Sequence, residues 1–175
     1  MRYIFVLFTL AILVGCKAVP TFEQPSLGGP KFDLEDYFRG NIKGYGQFQD
    51  ITGKVRDRFE VDIATRWDGE VLTLVEDFVY ADGRTEQRIW RLTKTGDDTW
   101  DGRAEGVAGV AKGVEDADRF NFQYTIDLKT RDGGTQTLQF DDWLWRFNET
   151  RVLNKAYVAA YGIRVGTVTI WFERL

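Results

Sequence analysis

Histidine is absent from the 175 residues, and cysteine, serine and methionine occur once each, as Cys16, Ser26 and Met1. The Ser-His and Cys-His nucleophile pairs are therefore excluded, and so is every imidazole site or thiolate cluster for a metal. No disulfide can form within the chain. Any catalysis would fall to carboxylates, Tyr, Thr, Lys or Arg, any metal would be a hard cation held by oxygen, and no cofactor is expected. Charge of one sign is also lacking, with 23 basic against 27 acidic side chains mixed along the sequence. No basic stripe offers a track for nucleic acid, which is excluded as a partner. Proline occurs three times, as Pro20, Pro25 and Pro30. Its absence afterwards suits a chain committed to hydrogen-bonded strands.

Only one long apolar run is present. It follows Arg2 and extends without a charge from Tyr3 to Val14. As a helix it would span about 18 Å, short of the roughly 30 Å hydrocarbon core, so it reads as an export signal rather than a transmembrane helix. It ends in Leu13-Val14-Gly15-Cys16, which resembles the bacterial lipobox, where a peptidase cuts before a lipid-modified cysteine. That resemblance implies a signal peptide over residues 1–15 and acyl chains on Cys16 that hold the protein on a membrane. Lys17 stands where the inner-membrane retention signal would have aspartate, which implies the outer membrane, facing the periplasm. Residues 16–30 combine the acylated cysteine with a Pro/Gly tether.

Residues 31–175 read as one all-β domain. Leu34, Tyr37 and Phe38 are spaced for one short helical turn before Gly40. Alternation of period two then sets in. Val55, Phe59, Val61, Ile63 and Trp67 fall on one face and Arg56, Arg58, Glu60, Asp62 and Arg66 on the other. Phe120, Phe122, Tyr124, Ile126 and Leu128 repeat the pattern opposite Asn121, Gln123, Thr125 and Asp127. Turn signals at Asp68-Gly69, Asp82-Gly83, Gly96-Asp97-Asp98, Glu115 to Asp118, Asp132-Gly133-Gly134 and Asn148-Glu149 separate about nine strands. These are expected near 42–50, 54–67, 70–80, 84–95, 99–112, 119–129, 135–147, 151–159 and 163–174. A meander of this length hides its edges most simply by closing into an antiparallel up-and-down β-barrel, lipocalin- or calycin-like in shape.

Three strands depart from plain alternation. Glu76-Asp77 sits mid-strand, so one of the two carboxylates must face the apolar side. Arg88 lies across the Asp82-Gly83 hairpin, opposite Asp77 if the loop has two or four residues and opposite Glu76 if it has three, so an acid–arginine pair is expected in either register. Asp141-Asp142 repeats the arrangement, followed by Trp143, and an inward aspartate could meet Arg88, Lys155 or Arg164. Each feature can be a structural ion pair or a polar anchor in a cavity. The small-residue stretch Gly102, Ala104, Gly106, Ala108, Gly109, Ala111 and Gly113 reads as a barrel corner, or as a wall that leaves volume for a ligand. Twenty-two aromatics fall in residues 31–175, more than a small barrel interior holds, so some should line a pocket or its rim.

The segments Phe32-Asp33-Leu34-Glu35, Trp67-Asp68-Gly69, Leu72-Thr73-Leu74 with Glu76-Asp77-Phe78, Phe140-Asp141-Asp142-Trp143 and Tyr161-Gly162-Ile163-Arg164-Val165-Gly166 resemble the bacterial lipoprotein family catalogued as domain-of-unknown-function 3833. The resemblance covers residues 31–175 and brings no assigned activity. Family members tend to be encoded beside fatty-acid-modifying enzymes, which implies lipid-related work by association. Phe32 to Phe38 followed by Gly40 is similar to the short helix before the first lipocalin strand, although Gly44-Tyr45-Gly46 replaces the lipocalin Gly-x-Trp. Three functions follow as expectations. The first is a binding module for a lipid or other apolar molecule whose head group meets Glu76 or Asp77, Arg88, Asp141 or Asp142, Trp143 and Arg164. The second is a lipid-modifying enzyme or accessory that uses an inward carboxylate, and the third an assembly lipoprotein with a protein partner.

Overall fold

The computed structural model describes residues 19–130 and 133–175. The expected signal peptide, Cys16 and Asp132 of the predicted turn lie outside the described residues. One helical turn, α1 (Leu34–Tyr37), precedes ten strands: β1 (Asn41–Asp50), β2 (Val55–Trp67), β3 (Val71–Tyr80), β4 (Thr85–Gly96), β5 (Thr99–Arg103), β6 (Ala111–Asp116), β7 (Arg119–Lys129), β8 (Thr135–Arg146), β9 (Arg151–Ala160) and β10 (Ile163–Arg174). Every strand pairs antiparallel with its neighbours in sequence, and β1 pairs with β10, from Ile42 opposite Arg174 to Asp50 opposite Gly166. The ring is closed, so no strand edge is left open. All ten strands find both neighbours within residues 41–174.

The expected architecture is observed, with one strand more than the nine anticipated. The stretch expected as a single strand over 99–112 is the hairpin β5–β6, in which Trp100 stands opposite Gly113 and Gly102 opposite Ala111. Gly106 and Gly109 take φ of +78° and +74° in its loop, a conformation open to glycine without penalty. Alternation continued through the loop in the sequence because small residues carry almost no pattern.

Loops β2–β3, β4–β5, β6–β7 and β8–β9 gather at one end, and α1 plugs it. The Asp33 carboxylate caps α1 by accepting the Asp36 N–H at 2.8 Å. The Phe32 N–H donates to the Ala117 carbonyl at 2.6 Å, and the Tyr37 hydroxyl to the Thr150 carbonyl at 3.3 Å. Phe32, Leu34, Tyr37 and Phe38 are buried beneath this plug with Phe120, Phe172 and Trp100. The buried Glu115 carboxylate holds the plug from below, accepting the Leu34 N–H at 3.0 Å and the Trp100 indole N–H at 2.8 Å. Charged residues of β2 such as Arg58, Glu60 and Asp62 point outward and the apolar residues inward. That is the inverse of a barrel that spans a bilayer.

The wet outer face is interrupted in one place. Arg119, Asn121 and Trp143 are buried although they lie outside the barrel, because residues 19–30 form a strap across β7 and β8. Arg146, inward by parity, is buried instead under the plug, where it donates to the Lys31 carbonyl at 3.0 Å. The Phe22 ring packs 4.8 Å from Trp143, and the Arg119 guanidinium lies over Phe22 and donates to the Gln24 carbonyl at 2.7 Å. The Ser26 hydroxyl and the Gly29 N–H both donate to Asp118, at 2.6 and 3.2 Å. The proline- and glycine-rich stretch expected as a tether is thus laid against the domain over its described length.

Candidate functional site

Strand parity decides which side chains reach the barrel interior, and on β3, β4, β7, β8 and β9 the inward positions are even-numbered. Between the plug and the open end the interior holds a cavity of about 320 Å³, at the lower end of the roughly 300–1,000 Å³ usual for small-molecule sites. Its upper wall is an apolar collar that includes Phe48, Phe59, Phe78, Leu138, Phe140 and Val168. Tyr124 and Phe140 stack there in parallel, 5.1 Å apart. Deeper, Glu76, Arg88, Tyr124, Asp142 and Asn154 form a polar belt at mid-height.

Glu76 is inward and Asp77 outward. The β3–β4 loop has three residues, Ala81 to Gly83, closed by the Tyr80 N–H to the Arg84 carbonyl and the Gly83 N–H to the Tyr80 carbonyl, both at 2.9 Å. Gly83 at φ +85° makes this turn possible. The loop sets Glu76 opposite Arg88, as the three-residue register requires. Arg88 nevertheless makes its ion pair with Glu86, one turn of the pleat nearer the mouth, at 2.6 Å. Glu86 also accepts the Tyr80 hydroxyl at 2.9 Å. The Glu76 carboxylate accepts no hydrogen bond from any described residue. Burial pushes its pKa up to about 7; Arg88 opposes that shift, while Asp142 and Glu86 add to it.

Asp142 is likewise inward and Asp141 outward. Its Oδ1 accepts from the Asn154 side-chain amide at 3.1 Å. Burial pushes its pKa up to about 6, against the hydrogen bonds from Asn154 and Tyr124 that favour the charged form. Burial also raises the Tyr124 phenol, and the nearby Asp142 charge adds to the shift, so Tyr124 stays a donor. Among the described residues no three His, Cys, Asp or Glu side chains gather as a metal site.

Four residues expected at the site lie elsewhere, each for a reason of parity or strand geometry. Asp77 is on the outer face, where it accepts from the Gln87 amide at 2.8 Å. Asp141 is outside too, accepting from Asn121 at 2.6 Å. Trp143 follows the inward Asp142 and so points out, under the strap. Arg164 precedes the irregularity between Arg164 and Gly166 in the pairing with β9, and its guanidinium covers the outward Tyr157 ring at 4.4 Å. Lys155 also faces out, over the same ring. Sequence reading did not single out Glu86, Tyr124 or Asn154 for the site. Each was detectable as a polar group in an inward register, Glu86 two residues before Arg88 and Asn154 between Val152 and Ala156.

The small residues of β5 and β6 do not enlarge the cavity. A Cβ on Gly102 would stand 2.5 Å from the tip of Phe122, and one on Gly113 2.6 Å from the tip of Phe120. These glycines make room for rings that fill the interior.

Among solved structures, the chain is similar to the S-type phycobiliprotein lyase CPES from Guillardia theta. The two are 10% identical, the match covers 82% of this chain and 93% of that one, and the TM-score is 0.60. A redesigned β-barrel, mFAP1, bound to DFHBI, is 12% identical over 79% of this chain and 95% of that one, with a TM-score of 0.42. The first likeness establishes a shared barrel fold. No curated protein matches the chain. Residues 10–174 match the family described as protein of unknown function DUF3833, and the chain belongs to that family.

Proposed function

We propose that this protein is a non-enzymatic binding module that holds a lipid or other amphiphilic small molecule inside its barrel. The observation that carries the reading is the cavity itself: apolar at the collar and again beneath the plug formed by α1, and crossed at mid-height by a polar belt whose Glu76 carboxylate accepts no hydrogen bond from any described residue. A barrel selected only for stability would fill this volume with side chains, since interiors pack to crystal-like density. In this reading the module is anchored through an acylated Cys16 to the outer membrane, facing the periplasm, where apolar molecules leave and enter the bilayer. Native mass spectrometry of the full chain purified from its own bacterium, with extraction of the bound material, tests the proposal. A reproducible amphiphile at one per chain is the expected result, and a bare protein mass under conditions that preserve other lipid complexes would overturn it.

A second reading is favoured by the two raised carboxyls. Glu76 at about 7 and Asp142 at about 6 lie in the range of general acids and bases, so the bound molecule could also be a substrate. Glu76→Gln and Asp142→Asn variants that still retain the amphiphile but no longer alter it would support this reading. Unaltered amphiphile in the wild-type chain would remove it.

A further inference from the structure

The polar belt crosses the cavity and does not close it. Phe48, Phe59 and Phe140 line the space on the mouth side of the belt, and Leu34, Phe38 and Phe172 line it on the other side, beneath the plug. A ligand that fills this space is therefore apolar at both ends of the filled length and meets charged side chains between them; this inference rests on the binding reading above. Part of the belt is already satisfied, since Asn154 and Tyr124 both donate to Asp142. Glu76 and Arg88 differ. They stand opposite each other on β3 and β4, close enough for one small group to touch both. The Glu76 carboxylate accepts nothing from any described residue. The Arg88 guanidinium has several N–H groups and, among the described residues, donates one of them, to Glu86 at 2.6 Å. Neither side chain is fully covered: 16% of the Arg88 side chain is open, and Glu76 is part-buried. Unused acceptor oxygens thus stand beside unused donors, and both border the same cavity.

We infer that the ligand is a long apolar chain bearing, part-way along its length, a neutral group that both donates and accepts a hydrogen bond, a hydroxyl being the simplest, with Glu76 accepting from that group and Arg88 donating to it. Three alternatives fail on the same residues. A plain alkyl chain would cover Glu76 and Arg88 and leave both short of partners, at roughly tenfold in affinity for each hydrogen bond forgone. A charged group would match one of the two and repel the other. A chain whose polar group is terminal could bring that end to the belt from the mouth, but the apolar space beneath the plug would stay unfilled. If its tail filled that space instead, methylenes would face the belt. An internal hydroxyl satisfies both walls and the belt together.

The test uses the full chain in lipid nanodiscs at pH 8, with the neutral fluorophore N-phenyl-1-naphthylamine as reporter of the cavity and the signal of empty nanodiscs subtracted. Undecan-6-ol and undecan-1-ol are isomers that differ in where the hydroxyl sits, and undecan-6-one keeps the central position but can only accept. Undecan-6-ol is expected to displace the fluorophore at concentrations at least about fivefold lower than either of the others. In Glu76→Leu, which removes the acceptor, its advantage over the ketone should shrink to within about twofold. Both competitors are read against the same fluorophore in the same variant, so a change in fluorophore affinity cancels from the ratio. The two wild-type ratios decide the inference even if Glu76→Leu does not fold. Undecan-1-ol equal to or better than undecan-6-ol would overturn the inference and leave the binding reading standing. A ketone as effective as the alcohol, or an unchanged ratio in Glu76→Leu, would overturn the role given to Glu76. A fluorophore signal no greater than that of empty nanodiscs would overturn the binding reading and this inference with it.

Discussion

At the scale of single residues, the most consequential group is a carboxyl in an unfavourable place. In the folded chain Glu76 keeps its proton to about pH 7, against an ordinary value of 4.5. The folded state therefore binds more protons than the unfolded one between these limits, and stability falls as pH rises through them. Asp142 on β8 adds a second fall between 3.8 and about 6. At about 1.4 kcal/mol per unit, the Glu76 contribution is on the order of 3 kcal/mol. Arg88 and Glu86 on β4 and Asp142 are the charged groups that modulate it. Urea unfolding at pH 5 and pH 8 should show the loss in the wild-type barrel, and Glu76→Gln should abolish most of it by being the more stable protein at pH 8. A wild-type barrel equally stable at both values would contradict the burial described for Glu76. Parity made one inward carboxylate per acidic pair legible in the sequence, but it could not say which. Which acid stands opposite Arg88 rests on a loop of three residues rather than two or four, and the positive φ of Gly83 is a property of the folded turn.

Elements depend on a few tight fits. Gly102 on β5 leaves the space that the Phe122 ring occupies, with Leu92 2.9 Å from where a Cβ would stand. Gly102→Ala should cost about 1–3 kcal/mol by overpacking. Because Phe122 also lines the cavity, the displaced ring should weaken binding of a neutral apolar fluorophore such as N-phenyl-1-naphthylamine several-fold, which a fluorescence titration of the variant would measure. The plug has a different dependence. Glu115→Ala would leave the Trp100 indole and the Leu34 N–H buried without an acceptor, at about 1–3 kcal/mol for each group, and a lowered urea midpoint is the check. The helical turn was legible from Leu34, Tyr37 and Phe38, and the strands from their alternation. The split of 99–112 into β5 and β6 was hidden because glycine and alanine fit either face. Burial of Trp143 from outside was hidden for another reason: proline and glycine in residues 19–30 described a flexible segment, and nothing local announced that Phe22 would find a surface to cover. Phe22→Ala should therefore shift Trp143 emission to the red and cost about 1–2 kcal/mol of lost packing and ring contact, both readable in one fluorescence-monitored unfolding curve.

For the molecule as a whole, closure is the organising fact. β1 and β10 stand at opposite ends of the sequence yet share a ladder from Ile42–Arg174 to Asp50–Gly166. A chain ending at Ala160, without β10, should lack the closed ring and form soluble aggregates or precipitate, and size-exclusion chromatography would show it. A monomer with native circular dichroism would contradict the role assigned to that seam. The seam also has a kinetic meaning. Pairing the first strand with the last requires the largest loop the chain can make, and contacts of that span form slowly. Until they form, the meander is an open sheet with two sticky edges and an aromatic inner face turned to water, the condition in which chains find one another instead of themselves. A single late event therefore ends the danger of aggregation and creates the cavity in the same moment, so a molecule able to occupy that cavity acts on the folding reaction only after the slowest step is over. Such a molecule would lengthen the lifetime of the closed barrel without hastening its birth.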